Sequence, residues 1–442
     1  MSQISPLWML VPLIVLVFLG HPVGFVLAWV GLIFGFFFWG PQFLPIIVTR
    51  FFDFQTNYVL VAIPLFVFMG NILERSGVAD GLYEALNQFL GRVRGGLALA
   101  TIIVATVFAA TTGVVSASTT SVGLLALPAM IKRGYDHKLA SGTVMAGGCL
   151  GMLIPPSIML VVIGAWARLS VGKLYLAAFL PGFLLSGIYL LYIWIRCKLN
   201  PSLAPVPLDK GVGFSNQKGK LGLLFKNLIP PLALLFAVLG TIVLGIATPT
   251  EAAGTGALVA LIIAAANRRL NLSIFLEACY RTVRLCGMIA VIACGALTFA
   301  SAFLGLGGDR VVEEMLLGLG LGRYGVLAIM MFVLLIMGCF MDWFEILVIT
   351  IPIFFPIAQK LGFDPIWYSI LVSVNLQMSF LTPPYGLALF YLRGISNLVA
   401  PEVTTDDIIK GVVPFVGLIL VGIFILILFP EIALWLPAKL IK

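Results

Sequence analysis

Long apolar stretches recur along the chain, and most of them predict helices that cross a membrane. A helix needs about 20 mainly apolar residues to span the bilayer core. Two other segments, 41–58 and Val78–Leu90, are predicted to be re-entrant or interfacial, because polar residues interrupt their apolar positions. The predicted apolar helices outside the motifs treated below are Leu7–Gly20, Val23–Trp39, Val59–Leu73, Leu174–Ile195, Leu228–Ile246, Gly254–Ala266, Val283–Phe303 and Val412–Phe429.

Two proline pairs, Pro155–Pro156 and Pro383–Pro384, interrupt apolar helices. Proline lacks an N–H group and disfavours helical geometry in the residue before it. In lipid, the backbone groups that such a break leaves unpaired are tolerated only where protein buries them or where they line a cavity. The sequence therefore predicts two discontinuous helices, with the halves Leu139–Ile154 and Ser157–Leu169, and Trp367–Leu381 and Gly386–Arg393.

A stretch rich in Gly, Ser and Thr predicts a re-entrant hairpin before the first discontinuous helix. The arms Leu97–Thr112 and Leu124–Ile131 flank the tip "TTGVVSASTTSVG", and each arm is short for a span. Ser116 is expected to be the N-cap of the returning arm. A single kinked helix with small residues for close packing is the alternative. A second hairpin is predicted, with the arms Gly325–Cys339 and Ile346–Ile357 around the tip "GCFMDWFE".

The two hairpin-and-broken-helix units are related by an internal duplication. The proline pairs are 228 residues apart, and the same spacing relates Pro128 to Pro356, Gly134 to Gly362 and Asp136 to Asp364. Apolar sequences align easily, but matched prolines, glycines and aspartates favour a duplication that covers roughly residues 90–185 and 320–420.

The charge distribution predicts that the two units are inverted in the membrane. Segment 196–226 carries six Lys or Arg and one Asp, so we interpret it as a cytoplasmic linker between the halves. Counting crossings from that linker places the mouth of the first hairpin inside and the mouth of the second outside. The inner mouth is the more basic, with Arg92, Arg94, Lys132, Arg133 and Lys138 against Arg323 and Lys360.

The composition agrees with a polytopic membrane protein and excludes most other classes. Of the 442 residues, 61% are hydrophobic and 10% are charged, and the mean hydropathy is +1.15. The net charge of +8 is typical of orienting signals at helix ends, so nucleic-acid binding is not indicated. No hydrolase or metalloprotease motif is present, and "GVGFSNQKGK" lacks phosphate-loop spacing, so we expect neither an enzyme nor an ATP site.

The hairpin tips and breaks are expected to converge near the middle of the membrane. Half-helix N-termini there would present amides to an anionic substrate, and unwound carbonyls would coordinate a cation. Ser116 and Ser118 at the first tip are candidate substrate contacts. Tyr385 and Arg393 are further candidates, with packing and snorkelling to the interface as their respective alternatives.

Two carboxylates lie at the second tip. Asp342 and Glu345 could bind substrate or carry a coupling proton, because carboxylates inside a membrane are usually functional. Their spacing also fits a capping box that starts the returning arm, which we favour. Glu251, in "TPTEAAG", is expected to be a similar cap.

At "GCLGMLIPPSI", "TPTEAAG" and "FLTPPYGLALFYLRG" the sequence resembles the large membrane subunit of TRAP transporters, the tripartite ATP-independent periplasmic family. The likeness runs over nearly the whole chain, and the combination of motifs is fairly specific. It departs from the family at the first tip, where Gly113–Val114–Val115 stands in place of a serine-rich sequence. A hydroxyl ligand at that tip is therefore in doubt, whereas carbonyl ligands are not.

The resemblance implies an inverted-repeat, elevator-type fold of the ion transporter superfamily. Its transport domain would comprise 91–172 and 311–400. The scaffold would comprise 1–90, 173–310 and 401–442.

The resemblance also implies sodium-driven import of an organic acid, C4-dicarboxylate-like by default, across the bacterial inner membrane. The implied partners are a small four-helix membrane subunit and a periplasmic substrate-binding protein. Two sodium sites, made mostly of backbone carbonyls, would lie near Thr112, Val115, Gly151, Ile154 and Pro155, and near Gly338, Met341, Ser379, Thr382 and Pro383. A stand-alone sodium- or proton-coupled carrier of dicarboxylate or citrate is the alternative.

Replacing the first proline pair tests the role of the break. The double variant Pro155→Ala, Pro156→Ala restores the helical donors, so we expect it to abolish sodium-dependent uptake and to leave expression largely intact. Uptake by reconstituted protein across a sodium series measures the effect. A wild-type sodium response in the double variant would refute the assigned role.

Overall fold

The computed structural model describes residues 5–91, 93–113, 115–205, 217–384 and 386–440, and the regular structure in these ranges is helical. Arg92, Val114 and Tyr385, named above, lie outside the described residues. Within the described ranges, eight helical segments are long and apolar enough to cross a membrane. The prediction of an all-α polytopic membrane protein is confirmed.

The first half of the chain contains helices α1 to α10. Helix α1 (Leu10–Phe18) follows a 3-10 turn at Pro6–Met9, and α2 (Val23–Phe34) continues into a π-helical turn at Gly35–Trp39. A second 3-10 turn, Tyr58–Val61, leads into α4. The other helices of this half are α3 (Phe43–Gln55), α4 (Ala62–Arg75), α5 (Val78–Leu90), α6 (Gly96–Thr112), α7 (Val115–Lys132), α8 (His137–Cys149), α9 (Ile158–Ala167) and α10 (Val171–Leu199).

The second half contains helices α11 to α21. A π-helical turn at Phe236–Gly240 joins the first two of them. The helices are α11 (Gln217–Leu235), α12 (Thr241–Val243), α13 (Pro249–Ala266), α14 (Leu272–Gly305), α15 (Gly308–Gly318), α16 (Gly322–Gly338), α17 (Trp343–Lys360), α18 (Pro365–Leu381), α19 (Leu387–Val399), α20 (Thr405–Leu428) and α21 (Glu431–Leu440).

Several helices are longer than the apolar stretches that predicted them, because polar caps extend them. Helix α14 begins at Leu272, where the Asn271 side chain accepts a hydrogen bond from the Ile274 N–H at 2.8 Å. Helix α13 begins at Pro249, and Thr248 and Glu251 form the capping box expected there. Helices α10 and α11 also run into the predicted linker 196–226, of which residues 206–216 lie outside the described ranges.

Helix α15 was not predicted, and it extends the internal similarity of the two halves. In each half a long apolar helix ends, a glycine in the left-handed conformation follows, and a short amphipathic helix begins. Gly77 (φ 75°) precedes α5, and Gly307 (φ 81°) precedes α15. The domain boundary predicted at 310–311 falls inside α15, because the polarity of that helix hid it from a search for apolar stretches. The boundary predicted at 172–173 falls in the first turn of α10.

Glycines permit two close helix crossings in the parts that flank the hairpins. A Cβ on Gly295 of α14 would overlap the Gly24 carbonyl oxygen of α2, and one on Gly31 would lie 2.6 Å from the Phe299 nitrogen. A Cβ on Gly142 of α8 would overlap the Gly411 carbonyl oxygen of α20. Small residues at helix crossings are the usual means of close packing in lipid, where no hydrophobic effect draws helices together.

The α2–α14 crossing can be tested with two glycines of one helix. Gly295→Ala inserts a methyl group into backbone, so we expect a destabilisation of about 1–3 kcal/mol and a lower melting temperature in detergent. Gly287→Ala is the matched control, because a Cβ at Gly287 meets nothing within 4 Å. Equal melting temperatures for the two variants would contradict this account of the crossing.

Candidate functional site

The first hairpin has a much shorter tip than the sequence predicted. Helix α6 ends at Thr112, Gly113 adopts the left-handed conformation at φ 62°, and α7 already begins at Val115. The predicted N-cap role of Ser116 is therefore wrong, because Ser116 lies inside the first turn of α7. The hydroxyl-rich stretch that suggested a long loop is helical instead.

Hydroxyl groups hold the tip of this hairpin together. The Thr112 hydroxyl donates to the Phe108 carbonyl at 3.1 Å and lies 2.7 Å from the Ser118 oxygen, so Ser118 donates to it across the turn. Both side chains are buried. Ser118 therefore fixes the hairpin and does not line the cavity described below, contrary to its proposed substrate contact.

The first predicted break is confirmed, directly beside this tip. Helix α8 ends at Cys149, a 3-10 turn covers Leu150–Met152, and α9 begins at Ile158. A continuing helix would pair the Gly151 and Met152 carbonyls with the N–H groups of residues 155 and 156, but both are prolines. The Ser157 hydroxyl donates to the Met152 carbonyl instead, and the Gly151 carbonyl loses its helical donor.

The hairpin tip and the break are in close contact. A Cβ on Gly113 would lie 2.6 Å from the Pro156 carbonyl oxygen, and α6 packs against the Leu150–Met152 turn. Val115, Gly151 and Ile154 are all buried. The structure thus brings together the residues expected to form the first cation site.

The second break repeats this arrangement. Helix α18 ends at Leu381 and α19 begins at Leu387, so Pro383 and Pro384 deprive the Ser379 and Phe380 carbonyls of their helical donors. The peptide bond within each proline pair is cis. The second break is therefore confirmed as well.

Gly338, at the end of α16, packs directly on Ser379. A Cβ on Gly338 would overlap the Ser379 hydroxyl oxygen. That hydroxyl is buried and has no hydrogen-bond partner among the described residues. An unpaired buried hydroxyl is costly, and the Ser379 oxygen is therefore free to bind a ligand at this point. The neighbouring Thr382 hydroxyl donates to the Met378 carbonyl at 2.7 Å.

At the second hairpin the capping box is confirmed. The Asp342 side chain accepts from the Trp343 N–H at 2.8 Å, and the Asp342 N–H donates to Glu345 at 3.1 Å. Met341, beside this cap, is buried. Both carboxylates are thus used to start α17.

Both tips and both breaks line one small cavity of about 80 Å³. Helix α9 packs against α17, and α7 packs against α19, so each broken helix contacts the hairpin of the other unit. Four helices begin at the cavity wall, and their first residues are Val115 and Ser116, Ile158 and Met159, Trp343 and Phe344, and Leu387.

The remaining predicted site residues fall in different places. Ser116 and Asp342 line the cavity. Arg393 lies inside α19, where its Nη1 donates to the Val403 carbonyl at 2.7 Å, so the structure does not bring it to the cavity. Tyr385 lies outside the described residues.

A larger cavity of about 640 Å³ adjoins the first and shares Ser116, Leu285, Met288 and Tyr391 with it. Sequence reasoning missed most of its polar lining, which comprises Asn71, Glu74, Thr120, Arg281, Arg284 and Tyr391. The predicted span Val283–Phe303 left Arg281 outside a helix and began one residue before Arg284. Their position inside α14 was signalled only by Asn271, the cap ten residues earlier.

Comparison with known proteins gives one consistent result. Residues 10–432 match the family described as "Tripartite ATP-independent periplasmic transporter, DctM component". The chain is 34% identical over 400 residues to the "C4-dicarboxylate TRAP transporter large permease protein DctM" of Pseudomonas aeruginosa, covering 90% of each chain. It is 32% identical to the "Isethionate TRAP transporter permease protein DctMQ" of Oleidesulfovibrio alaskensis, covering 86% of this chain and 58% of that protein.

A solved structure shows a similar fold. The YdaH transporter of Alcanivorax borkumensis aligns with a TM-score of 0.59 at 16% identity, and the alignment covers 88% of this chain and 87% of that one. At that identity the likeness concerns the fold alone.

Asp342 could act as a helix cap or could be required for its negative charge, and two substitutions distinguish these roles. If its carboxylate serves as a helix cap, Asp342→Asn keeps the cap and uptake, whereas Asp342→Ala destabilises the protein by about 1 kcal/mol. Melting temperature and substrate uptake are measured for both variants. A folded Asp342→Asn protein without uptake would show that the negative charge itself is required.

Proposed function

Because the chain belongs to the DctM component family of tripartite ATP-independent periplasmic transporters, we propose that it imports an organic acid anion together with sodium by an elevator mechanism. It would act as a transporter and not as an enzyme. The observation that carries the proposal is the convergence of four helix N-termini and two proline breaks on one cavity.

The helix N-termini support an anionic substrate. The first residues of α7, α9 and α19 have amides without intrahelical acceptors, and the helix dipoles add positive potential there. Helix α17 differs, because the side chain of its N-cap residue, Asp342, already accepts hydrogen bonds from the first backbone amides of the helix. An ionised carboxylate repels an anion at close range, so we expect the substrate to bind on the side of Ser116 and Leu387.

Backbone carbonyls support sodium as the coupling ion. Each break leaves a carbonyl without its helical donor, at Gly151 and at Ser379, next to the tip of a hairpin. Group I and II cations take oxygen ligands, and unwound carbonyls in discontinuous helices provide them in other transporters. The first site would use Thr112, Val115, Gly151, Ile154 and Pro155, and the second Gly338, Met341, Ser379, Thr382 and Pro383.

The packing supports an elevator with two bodies. The hairpins and broken helices form one compact unit through α7–α19 and α9–α17 contacts. The second body comprises helices outside that unit that pack among themselves, α2 on α14 and α4 on α13, whereas α10 and α20 pack on the hairpin unit, with α20 on α8. In the proposed mechanism the first unit moves across the membrane while the second holds its place.

Family membership supports the proposed partners and location. We expect a small four-helix membrane subunit and a periplasmic binding protein, both in or at the bacterial inner membrane. The relative named DctMQ is longer than this chain, which agrees with a second membrane component in such systems. Large apolar side chains such as Phe37, Leu244 and Leu398 are 73–79% exposed and suit contact with lipid.

Reconstitution tests the proposal as a whole. Proteoliposomes that hold this chain and its small subunit should accumulate a carboxylate, with succinate as the first probe, only with an inward sodium gradient and the cognate binding protein. Uptake by this chain alone would favour the stand-alone carrier. Uptake driven by ATP without an ion gradient would refute the proposal.

The second sodium site has its own test in one helix. Ser379→Ala removes the unpaired buried hydroxyl, so we expect the sodium concentration for half-maximal uptake to rise about tenfold, or about 1.4 kcal/mol. Ser373→Ala is the matched control, because the Ser373 hydroxyl already donates to the Ser369 carbonyl at 2.8 Å. An unchanged sodium dependence in Ser379→Ala would exclude the hydroxyl as a ligand.

A further inference from the structure

Two arginines of α14 line the larger cavity, which residues of α7 also line. Arg281 and Arg284 are three residues apart, so they share one face of the helix. Like charges at this spacing repel each other unless negative groups compensate them. The carboxylates nearby therefore decide how much positive charge remains.

The nearby carboxylates form ion pairs with Arg75 and Arg281. Arg281 contacts Glu277 at 2.9 Å and Glu74 at 3.6 Å. Glu277 also pairs with Arg75. Two glutamates thus face two arginines, Arg75 and Arg281, and this group is neutral before Arg284 is counted.

Arg284 is left over. Within the described part of the chain it has no ion pair, and its side chain is exposed in the cavity. Ser116 and Thr120 of α7 and Tyr391 of α19 line the same cavity and offer hydroxyl groups. Ser116 and Tyr391 line the small central cavity as well, so the two cavities adjoin where an anion would pass between them.

We propose that Arg284 forms a second anion site, which binds a carboxylate of the organic acid after it leaves the space between the hairpin tips. This inference rests on the proposed function. Guanidinium groups bind carboxylates through paired hydrogen bonds. In the orientation predicted from the charges, this end of α14 faces the cytoplasm, so the site lies on the exit path of an imported anion.

The position of Arg284 explains why such a site would be weak. It belongs to α14, outside the hairpin unit, so the anion contacts it only when the hairpin unit places the central cavity beside it. Its exposure to water lowers the strength of each ionic contact. A weak site of this kind favours release over retention.

Anion binding by the purified full-length chain tests the site without transport. The chain is placed in phosphatidylcholine nanodiscs in sodium-free choline buffer, and thermal protection by succinate, isethionate, sialic acid and inorganic phosphate is measured. We expect at least one organic anion to protect the wild type and its apparent affinity to fall about tenfold in Arg284→Gln. Arg284→Lys should recover part of the loss.

Arg310→Gln is the matched control, because Arg310 is an exposed arginine of α15 that lines neither cavity. Equal protection of the wild type and Arg284→Gln, or no protection of the wild type by any of these anions, would overturn the assignment. Nanodiscs with added phosphatidylglycerol form the second arm. A difference between the wild type and Arg284→Gln that appears only with this lipid would assign Arg284 to a headgroup and also overturn the proposal.

The result stays separate from the fate of the proposed function. Uptake with sodium and the binding protein tests the transporter, and it does not require a weak exit site. Sodium-driven uptake with unchanged anion binding in Arg284→Gln would refute the exit site alone. Loss of anion affinity in Arg284→Gln without sodium-driven uptake would refute the coupling and leave the anion site in place.

Discussion

Proline has no backbone N–H to donate a hydrogen bond, and the membrane interior contains no water that could donate one to the unpaired carbonyl instead. This constraint shapes the centre of the protein. Each proline pair removes the donors of two carbonyls one turn earlier, at Gly151 and Met152 and at Ser379 and Phe380. At the first break the Ser157 hydroxyl donates a hydrogen bond to one of these carbonyls, that of Met152. The others stay available beside a hairpin tip. The residues around the first break are buried, whereas Pro383 and Pro384 at the second break are exposed.

The same breaks also create helix N-termini. Where α8 and α18 stop, α9 and α19 start, and the short hairpin turns bring the starts of α7 and α17 to the same cavity. Carbonyl oxygens and amide hydrogens thus lie within one small space. Such a space suits a cation and an anion that must be bound together, because each ion offsets the field of the other. The proposed coupling of a cation to an anion would therefore need few charged side chains.

Local chemistry decides which features the sequence could predict. The broken helices and the caps at Glu251 and Asp342 were predicted correctly, because proline and capping residues act over a few residues. The first tip was predicted too long, because Ser118 of α7 pairs its hydroxyl with Thr112 inside the folded hairpin, a contact that the sequence pattern alone did not indicate. Helix α15 was not predicted, because polar residues on one face interrupt the apolar stretch by which a helix was identified. The group around Arg284 could not be predicted, because it joins α4, α7, α14 and α19 through tertiary packing alone.

The central claim is that the backbone oxygens left by the breaks hold sodium. Differential scanning calorimetry of the purified chain in sodium, potassium and choline buffers of equal ionic strength tests it most directly. Ion binding to the folded state alone raises the melting temperature in proportion to the logarithm of ion concentration. The account predicts a rise with sodium that potassium and choline do not reproduce. Identical melting temperatures in all three cations would contradict it.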